Sequence, residues 1–487
     1  MSERTGWDRR LSVAADGKGM VGQAGVVLLH RVADRVGLTA ALAGLFPAGG
    51  SATWRDRAHV VVALASAIVL GAANLLEAEQ LQAQYATVLG APASDSTAHR
   101  MLRDWDEAAR LRIGRARAGV RRHVWSLLHL RPGGFPWLVV AGKRLTGWIV
   151  IDLDATIILA SSKKQGATKT FKRTFGFHPL AAWCANTQES LAMLLREGRA
   201  GSNTAADHLT VLTAALAQVP DSSHAKILVR VDGAGATHEL LEHLERLNTA
   251  RRTVRYLVGW TVTADDEAAV GKLPERAWEA ALRQDGDIQD GYGIAELTGV
   301  NTRTGWPQGM RLLVRRVKPS GRQVNKLTAF ELRAGWKYSV IATNIRHMWG
   351  IAGSHQPQFL DVLARSHATV EDRVRTDKSM GLRNLPSKSW QVNAGWMLTA
   401  NIGHDLDCWV RLLALHDRDD LVRAEPATMR HRLYGVPARL VRHARRRWLR
   451  FDRTWPCANA RQLSGDAAGQ IGGIDHGRPV AVVWRTG

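Results

Sequence analysis

Gly147-Trp-Ile-Val-Ile-Asp-Leu-Asp-Ala-Thr-Ile-Ile-Leu-Ala160 is apolar and rich in β-branched residues, yet two acids interrupt it. The composition suits a strand buried in a sheet. On a strand, Asp152 and Asp154 stand two apart and share a face. A second stretch, Lys226-Ile-Leu-Val-Arg-Val-Asp232, repeats the pattern and closes on an acid. Helical patterns at Ala205–Ala217 and His238–Leu247 flank it. Strands alternating with helices predict an α/β layer around a central sheet.

An unpaired carboxylate in a buried strand costs several kcal/mol even after relaxation, so these acids need a reason. One reason is a salt bridge, with Arg230 or Arg173 as partner. The other is convergence at the sheet edge on a divalent cation such as Mg²⁺, which takes carboxylate oxygens and substrate phosphates as ligands. A third element bears on the choice. Ser366 to Arg383 reads as a helix that places Glu371, Arg375 and Lys378 on one face. Alone this is a solvated face with an ion pair. Beside two acidic strands it fits a metal site with a phosphate clamp, where two ions stabilise the attacking and leaving oxygens of an in-line phosphoryl displacement.

Outward from this centre, residues 1–135 read as helical. Ala58–Ala73 is apolar and Leu75–Ala86 amphipathic. After a break at Gly90-Ala91-Pro92, Asp95-Ser96-Thr97 can cap a helix carrying Arg100 and Arg103. That is the outline of a helix-turn-helix, and equally of two packed helices. Leu130–Leu145 reads as a linker. Residues 251–345 are β-rich, with strands at Thr253–Val262, Met310–Val317 and Trp336–Thr343 and a helix at Pro274–Arg283. Residues 355–415 return to helix.

Lys and Arg number 66 against 44 Asp and Glu, a net charge of +22 over 487 residues. Such an excess attracts a polyanion, above all nucleic acid. Arg432 to Arg453 contains eight arginines, including Arg439, Arg442, Arg445, Arg446 and Arg447, against one acid, Asp452. It reads either as a solvated basic helix or as a contact to DNA phosphates. Lys163, Lys164, Lys169, Lys172 and Arg173 form a second basic patch beyond the first acidic strand. Cys184, Cys408 and Cys457 are far apart with no CxxC pair, which excludes a disulfide framework and fits a reducing cytoplasm. Met1 to Arg10 has no signal-peptide core, and the longest uncharged apolar run, Val60–Ala73, is shorter than a membrane span.

Five stretches, ordered along 146–405, carry a resemblance: Ile151-Asp-Leu-Asp-Ala-Thr156, Phe175-Gly-Phe-His-Pro-Leu180, Arg196-Glu-Gly-Arg-Ala-Gly-Ser-Asn203, Leu228-Val-Arg-Val-Asp232, and Glu371 with Lys378 seven positions on. Together the chain resembles the DDE transposases of bacterial insertion sequences, in the branch with a β-rich insertion and a Glu/Lys signature helix. The resemblance implies a ribonuclease-H-like mixed sheet flanked by helices, in two parts at 146–250 and 346–415. It implies an insertion at 251–345, a helical DNA-binding region at 1–135 and a basic tail at 416–487. The implied ligands of two Mg²⁺ or Mn²⁺ ions are Asp154, Asp232 and Glu371, with Asp152 as the alternative to Asp154 or a neighbour that tunes it. The implied partner is double-stranded DNA, both the element's inverted-repeat ends and a target. A homodimer in the bacterial cytoplasm and nucleoid would nick those ends and join the freed 3′-hydroxyl to target DNA, with no covalent protein–DNA intermediate. Two positions depart from the branch: Ala364 stands where Tyr is expected and His367 where Arg is expected. Arg365 is the nearby candidate for the missing Arg.

Tryptophan is frequent, at 18 residues. Trp260 and Trp306 are the candidates for stacking on an extruded base; the rest read as core. A DNA-binding repressor without catalysis and another ribonuclease-H-like nuclease share parts of this pattern. A carboxylate-pair glycosidase would suit the tryptophans, but the charge and the Glu/Lys helix disfavour it.

Overall fold

The computed structural model describes residue 12 and residues 14–50, 55–221, 224–301 and 305–454. The expectations placed on Met1 to Arg10, on Cys457 and on the tail beyond 454 lie outside them. Helix α1 (Arg57–Val69) is apolar on nearly every face and buries ten residues. It starts at Asp56, whose carboxylate accepts from the His59 amide at 2.9 Å, satisfying a donor the helix cannot. Helix α2 (Asp95–Arg103) begins on the Ser94 cap and buries Ala98, Met101 and Leu102, leaving Arg100 and Arg103 exposed. Helix α3 (Glu107–Leu130) buries Ile113, Arg117, Val120, Arg121, Val124, Trp125 and Leu128. That stripe has helical spacing, but two of its members are arginines.

Nine strands form one mixed sheet: β1 (Trp148–Ala155), β2 (Leu180–Cys184), β3 (Ser190–Leu194), β4 (Lys226–Val231), β5 (Val254–Trp260), β6 (Glu279–Leu282), β7 (Ile288–Glu296), β8 (Arg311–Val317) and β9 (Lys337–Thr343). Across the sheet they run β6-β7-β8-β9-β5-β4-β1-β2-β3. The three central strands β1, β4 and β5 are parallel. β1 is antiparallel to β2, which is antiparallel to β3. Parallel neighbours need crossovers. Helix α4 (Ala205–Gln218) lies between β3 and β4, and helix α5 (His238–Leu247) between β4 and β5.

The 251–345 segment differs from the expected insertion. β5 sits in the middle of the sheet beside β4, and β6 to β9 extend the same sheet outward in antiparallel order. Glu279–Leu282, expected to be helical, is an edge strand paired with β7. The helix of this region is instead Ala264–Gly271, started by a capping box between Thr263 and Asp266. Local propensity for Glu and Ala yields here to pairing with a neighbouring strand.

After β9 come a helix at Pro357–Arg365, a 3-10 turn at Ser366–Thr369 and helix α6 (Val370–Asp377). The helical run expected to Arg383 ends early, because Met380 and Gly381 leave helical geometry. Helix α7 (Trp390–Ala414) is buried along nearly its whole length. It packs on α1, α2, α3 and β3, so the N-terminal helices and the sheet share one hydrophobic core. A Cβ added at Gly403 would meet the Ala65 carbonyl oxygen at 2.9 Å, so glycine is what lets α7 and α1 touch backbone to backbone.

A buried polar network ties these layers together. Arg121 of α3 pairs with Glu189 at 2.9 Å and with Asp405 of α7 at 2.6 Å, and Arg117 reaches Asp405 at 2.8 Å. The Trp125 and Trp409 ring N–H groups both donate to Glu189 at 2.7 Å. Two cations against two anions, with both ring donors on Glu189, offset much of the desolvation of buried charge, although Asp405 Oδ1 has no hydrogen-bond partner among the described residues.

Beyond a helical turn at Arg430–Tyr434, the basic segment 432–453 is not a helix. Ala438–His443 and Arg446–Arg450 form an antiparallel hairpin, turning at Ala444 and Arg445, both at positive φ. Met20–Val21 adds a third strand. Apolar Leu440, Leu449 and Phe451 pack on the core while the arginines face water. No helix among the described residues is long and apolar enough to cross a membrane.

Candidate active site

The register of β1 and β4 pairs Leu153 with Val231, so Asp154 and Asp232 occupy equivalent positions at the carboxyl ends of adjacent parallel strands. Strand ends beside a crossover are where open α/β sheets bind ligands. Asp154 is half-buried and Asp232 exposed. Burial, then the charge of Asp232 and to a smaller extent that of Glu371, push the Asp154 carboxyl up to about 6. The Ala155 amide, donating to Asp154 Oδ1 at 2.8 Å, and His367 oppose that shift. Asp232, just past β4, and Glu371 of α6 thus both act on Asp154 of β1.

Asp152 shares the strand with Asp154 but not its role as a free acid. It is fully buried, accepts from Arg230 Nε at 2.7 Å and Nη2 at 2.9 Å, and contacts His367 Nδ1 at 3.1 Å. Burial alone would raise its pKa, but Arg230 and His367 outweigh burial and hold it well below the usual carboxylate range. Of the two readings open for Asp152, the salt bridge is the one present. Arg230 also donates to the Leu363 carbonyl at 3.0 Å and to Ser366 Oγ. The pair thus fixes the chain entering α6, and with it Glu371.

Glu371, Arg375 and Lys378 separate in their surroundings. Glu371 is exposed. Lys378 is half-buried; burial and the charge of Lys172 lower its pKa, and Asp154 opposes them. Arg375 turns to Asp372 on its own helix. Arg365 does not join the acids. It binds Asp361 at 2.8 Å, Gln289 at 3.3 Å and the Leu282 carbonyl, which holds it against the β6–β7 hairpin. The residue that takes the place beside the acids is His367, at the very position where the sequence departs from Arg.

The chemistry of the donors suits a divalent cation: two neighbouring carboxylates whose mutual repulsion is already visible in Asp154. Among the described residues no three His, Cys, Asp or Glu side chains stand close enough to grip one ion, so Glu371 reaches Asp154 through its field. A cavity of about 370 Å³ lies along another face of α6, lined by Arg230, Asp372, Arg373 and His404. It includes none of the three acids.

Of the basic candidates, Arg100, Arg103, Lys163 and Arg173 are exposed, and Arg103 touches Asp104. Lys164 is held by Asn384 Oδ1 at 3.0 Å and the Leu385 carbonyl, anchoring the loop after β1 rather than facing solvent. Arg439, Arg442, Arg445, Arg446 and Arg447 are all exposed on the hairpin. Arg439 lies opposite Arg450 and Arg442 opposite Arg447. Like charges directly across a ladder repel, so this surface favours an anionic partner. Trp260 is buried, and Trp306 stacks on the exposed His238 at 3.7 Å, which covers one face of its ring.

The family described as Transposase DDE domain group 1 matches residues 3–464. No curated protein matches the chain. Among solved structures it is similar to a piggyBac transposase synaptic complex with hairpin DNA determined by cryo-EM. The identity is 12% over 84% of this chain and 78% of that one, with a TM-score of 0.39. With a match spanning nearly all of its length, the chain belongs to the DDE transposase domain group 1 family.

Proposed function

We propose that this transposase cuts DNA at the ends of its own element and transfers the freed 3′-hydroxyl into target DNA, using Asp154, Asp232 and Glu371 as the acidic centre. The observation that carries the reading is the placement of Asp154 beside Asp232 at two parallel strand ends, with Glu371 close enough to shift Asp154. The order β3-β2-β1-β4-β5, with β2 alone reversed among the last four, supports a ribonuclease-H-like core. Asp154 and Asp232 would hold Mg²⁺ or Mn²⁺, and Glu371, which does not close on them in this conformation, would complete the set once the ions bind. Such ions, when bound, stabilise the charge that develops on the attacking and leaving oxygens.

The chain's own residues do the rest. Lys378, whose ammonium feels the charge of Asp154, would donate to a phosphate oxygen at the acids. The Asp152–Arg230 pair holds the two strands and the start of α6 in register. The arginine hairpin and the exposed Arg100 and Arg103 supply backbone contacts to double-stranded DNA, terminal repeats and target alike. A bacterial insertion-sequence origin, a nucleoid location in the cytoplasm and a homodimeric synaptic complex complete the reading and rest on the sequence resemblance.

The test is cleavage of a labelled duplex carrying the element's end, with Mg²⁺ and with EDTA. Metal-dependent nicking at the repeat boundary followed by strand transfer is the expected result. Binding without cleavage in any divalent metal would replace this reading with that of a non-catalytic DNA-binding repressor.

A further inference from the structure

The chain leaves β1 just after Asp154 and builds a small three-stranded flap from Ile158–Leu159, Thr168–Lys169 and Phe175–Phe177. Its tip is a tight turn. The Thr170 amide donates to the Thr174 carbonyl at 2.7 Å, the Arg173 amide donates to the Thr170 carbonyl at 2.9 Å, and Arg173 adopts φ 62°. At this tip the Phe171 ring is 66% exposed. Lys172 Nζ lies 5.6 Å from its centroid, Lys169 and Arg173 flank it in solvent, and the His178 ring stands 5.3 Å behind it.

The flap is braced. A Cβ at Gly198 would meet the Thr168 carbonyl oxygen at 2.3 Å, so glycine lets the chain lie flat against the flap. Arg199 N–H donates to Thr168 Oγ1 at 2.7 Å, and Gln165 N–H to the Lys388 carbonyl at 2.9 Å. The flap springs from the end of β1 and leans on the chain that follows Lys378: Lys164 Nζ donates to Asn384 Oδ1 at 3.0 Å and to the Leu385 carbonyl, and Lys172 at the tip lies near enough to Lys378 to repel it.

An aromatic ring left in water forgoes the stabilisation that its burial would contribute. A braced ring among cations beside a phosphate-transfer site offers a flat apolar face next to anion contacts. A nucleobase with its phosphate presents the matching surface, and an aromatic side chain stacks on any base that has left its pair. Trp260 and Trp306, by contrast, are already covered. We propose that Phe171 stacks on an unpaired base of the DNA strand beside the reacting phosphate, with Lys172 and Arg173 holding the adjoining backbone. This inference rests on the DNA-cleaving reading above.

The experiment uses the full chain without divalent metal, so that nothing is cut. Two duplexes of about 30 base pairs serve as probes, one fully paired and one carrying a single unpaired 2-aminopurine. The expected result is roughly tenfold tighter binding of the bulged duplex with quenching of its fluorescence, since stacking on one base is of that order. Phe171→Ala should lose both the preference and the quenching while binding the paired duplex within about twofold of wild type and melting at the same temperature, because exposed positions contribute little to stability. Phe171→Trp should keep both. A bulge preference that survives Phe171→Ala, with paired-duplex binding intact, would overturn this inference and leave the transposase reading standing. Failure of the wild-type chain to bind either duplex would overturn both.

Discussion

Arg230 grips Asp152 through two hydrogen bonds, 2.7 and 2.9 Å long, across neighbouring parallel strands and out of reach of water. Two residues further along β1, Asp154 stands half-exposed with no cation bonded to it and two other carboxylates acting on it. One strand therefore carries two acids of the same type on the same face with opposite energetic signs. The first contributes to folding, and the second opposes it for the sake of the site.

Removing the charge of Asp152 should cost stability. Asp152→Asn leaves Arg230 buried without its counter-ion, a loss of about 3–5 kcal/mol. Urea unfolding at neutral pH measures it. A variant as stable as wild type would mean that Arg230 finds another partner and that the pair does not hold α6 in place.

Asp154→Asn should do the reverse: abolish cleavage and stabilise the chain. The folded-state pKa is raised from 3.8 to about 6, so the folded protein binds this proton more tightly than the unfolded chain does. The favourable contribution is complete below about pH 4 and is lost as pH rises through about 6. Above that, the variant should exceed wild type by about 2 kcal/mol once partial solvent screening is allowed for. Below about pH 4 the difference should vanish. Denaturation at about pH 4 and about pH 7.5 decides it, and a variant less stable at both would contradict the crowding of carboxylates.

Mg²⁺ should raise the melting temperature of the wild-type chain, because binding to the folded state alone stabilises by mass action. Asp232→Asn and Asp154→Asn should abolish that rise. Asp232→Asn and Glu371→Gln should each cut DNA at least about 100-fold more slowly while retaining affinity, since acids that hold a catalytic metal contribute several kcal/mol to the transition state. Near-normal cutting by either variant would remove that residue from the site.

Replacing Arg439, Arg442 and Arg446 with Gln should weaken DNA binding and flatten its salt dependence by roughly two to three in the log–log slope, about 0.9 for each phosphate no longer neutralised. Stability should hold or rise, because repulsive cross-strand pairs disappear. An unchanged slope would take the hairpin out of the DNA interface.

How much of the fold and site is legible in the sequence follows from where the information lies. The acidic strands declare themselves through β-branched runs, and the Glu/Lys spacing marks α6. Which acid is spent on a salt bridge depends on the register between β1 and β4, and nothing local in either strand carries that register. The same limit hides the continuity of β6 to β9 with the central sheet, since edge pairing is a non-local choice. The basic tail misleads for a different reason. Its arginines suit a helix as well as a strand and fall on both faces of the hairpin, so no period of two marks the strands in the sequence. Arg365 sits one helical step from the acids in sequence, but Asp361 four residues back claims it first.

A final prediction concerns the far end of the signature helix. Asp377 is buried between the Trp183 ring N–H, which donates at 2.9 Å, and His404, whose other ring nitrogen meets the Gln188 carbonyl at 2.9 Å. Burial would lower the His404 pKa, but Asp377 outweighs it and holds the imidazole well above its ordinary range. The sign follows: this pair stabilises fully below about pH 6.5, and its contribution is lost only as pH rises through the elevated folded-state value. Asp377 directly precedes Lys378, so the pair also fixes the backbone from which that ammonium extends. His404→Gln should cost about 3 kcal/mol by leaving Asp377 buried and uncompensated. The double variant with Asp377→Asn should recover part of that loss, because no buried charge remains. Cleavage by the double variant should stay slow even where folding is restored, because Lys378 loses its fixed anchor. If folding and cleavage recover together, the pair is only a core contact and does not position Lys378.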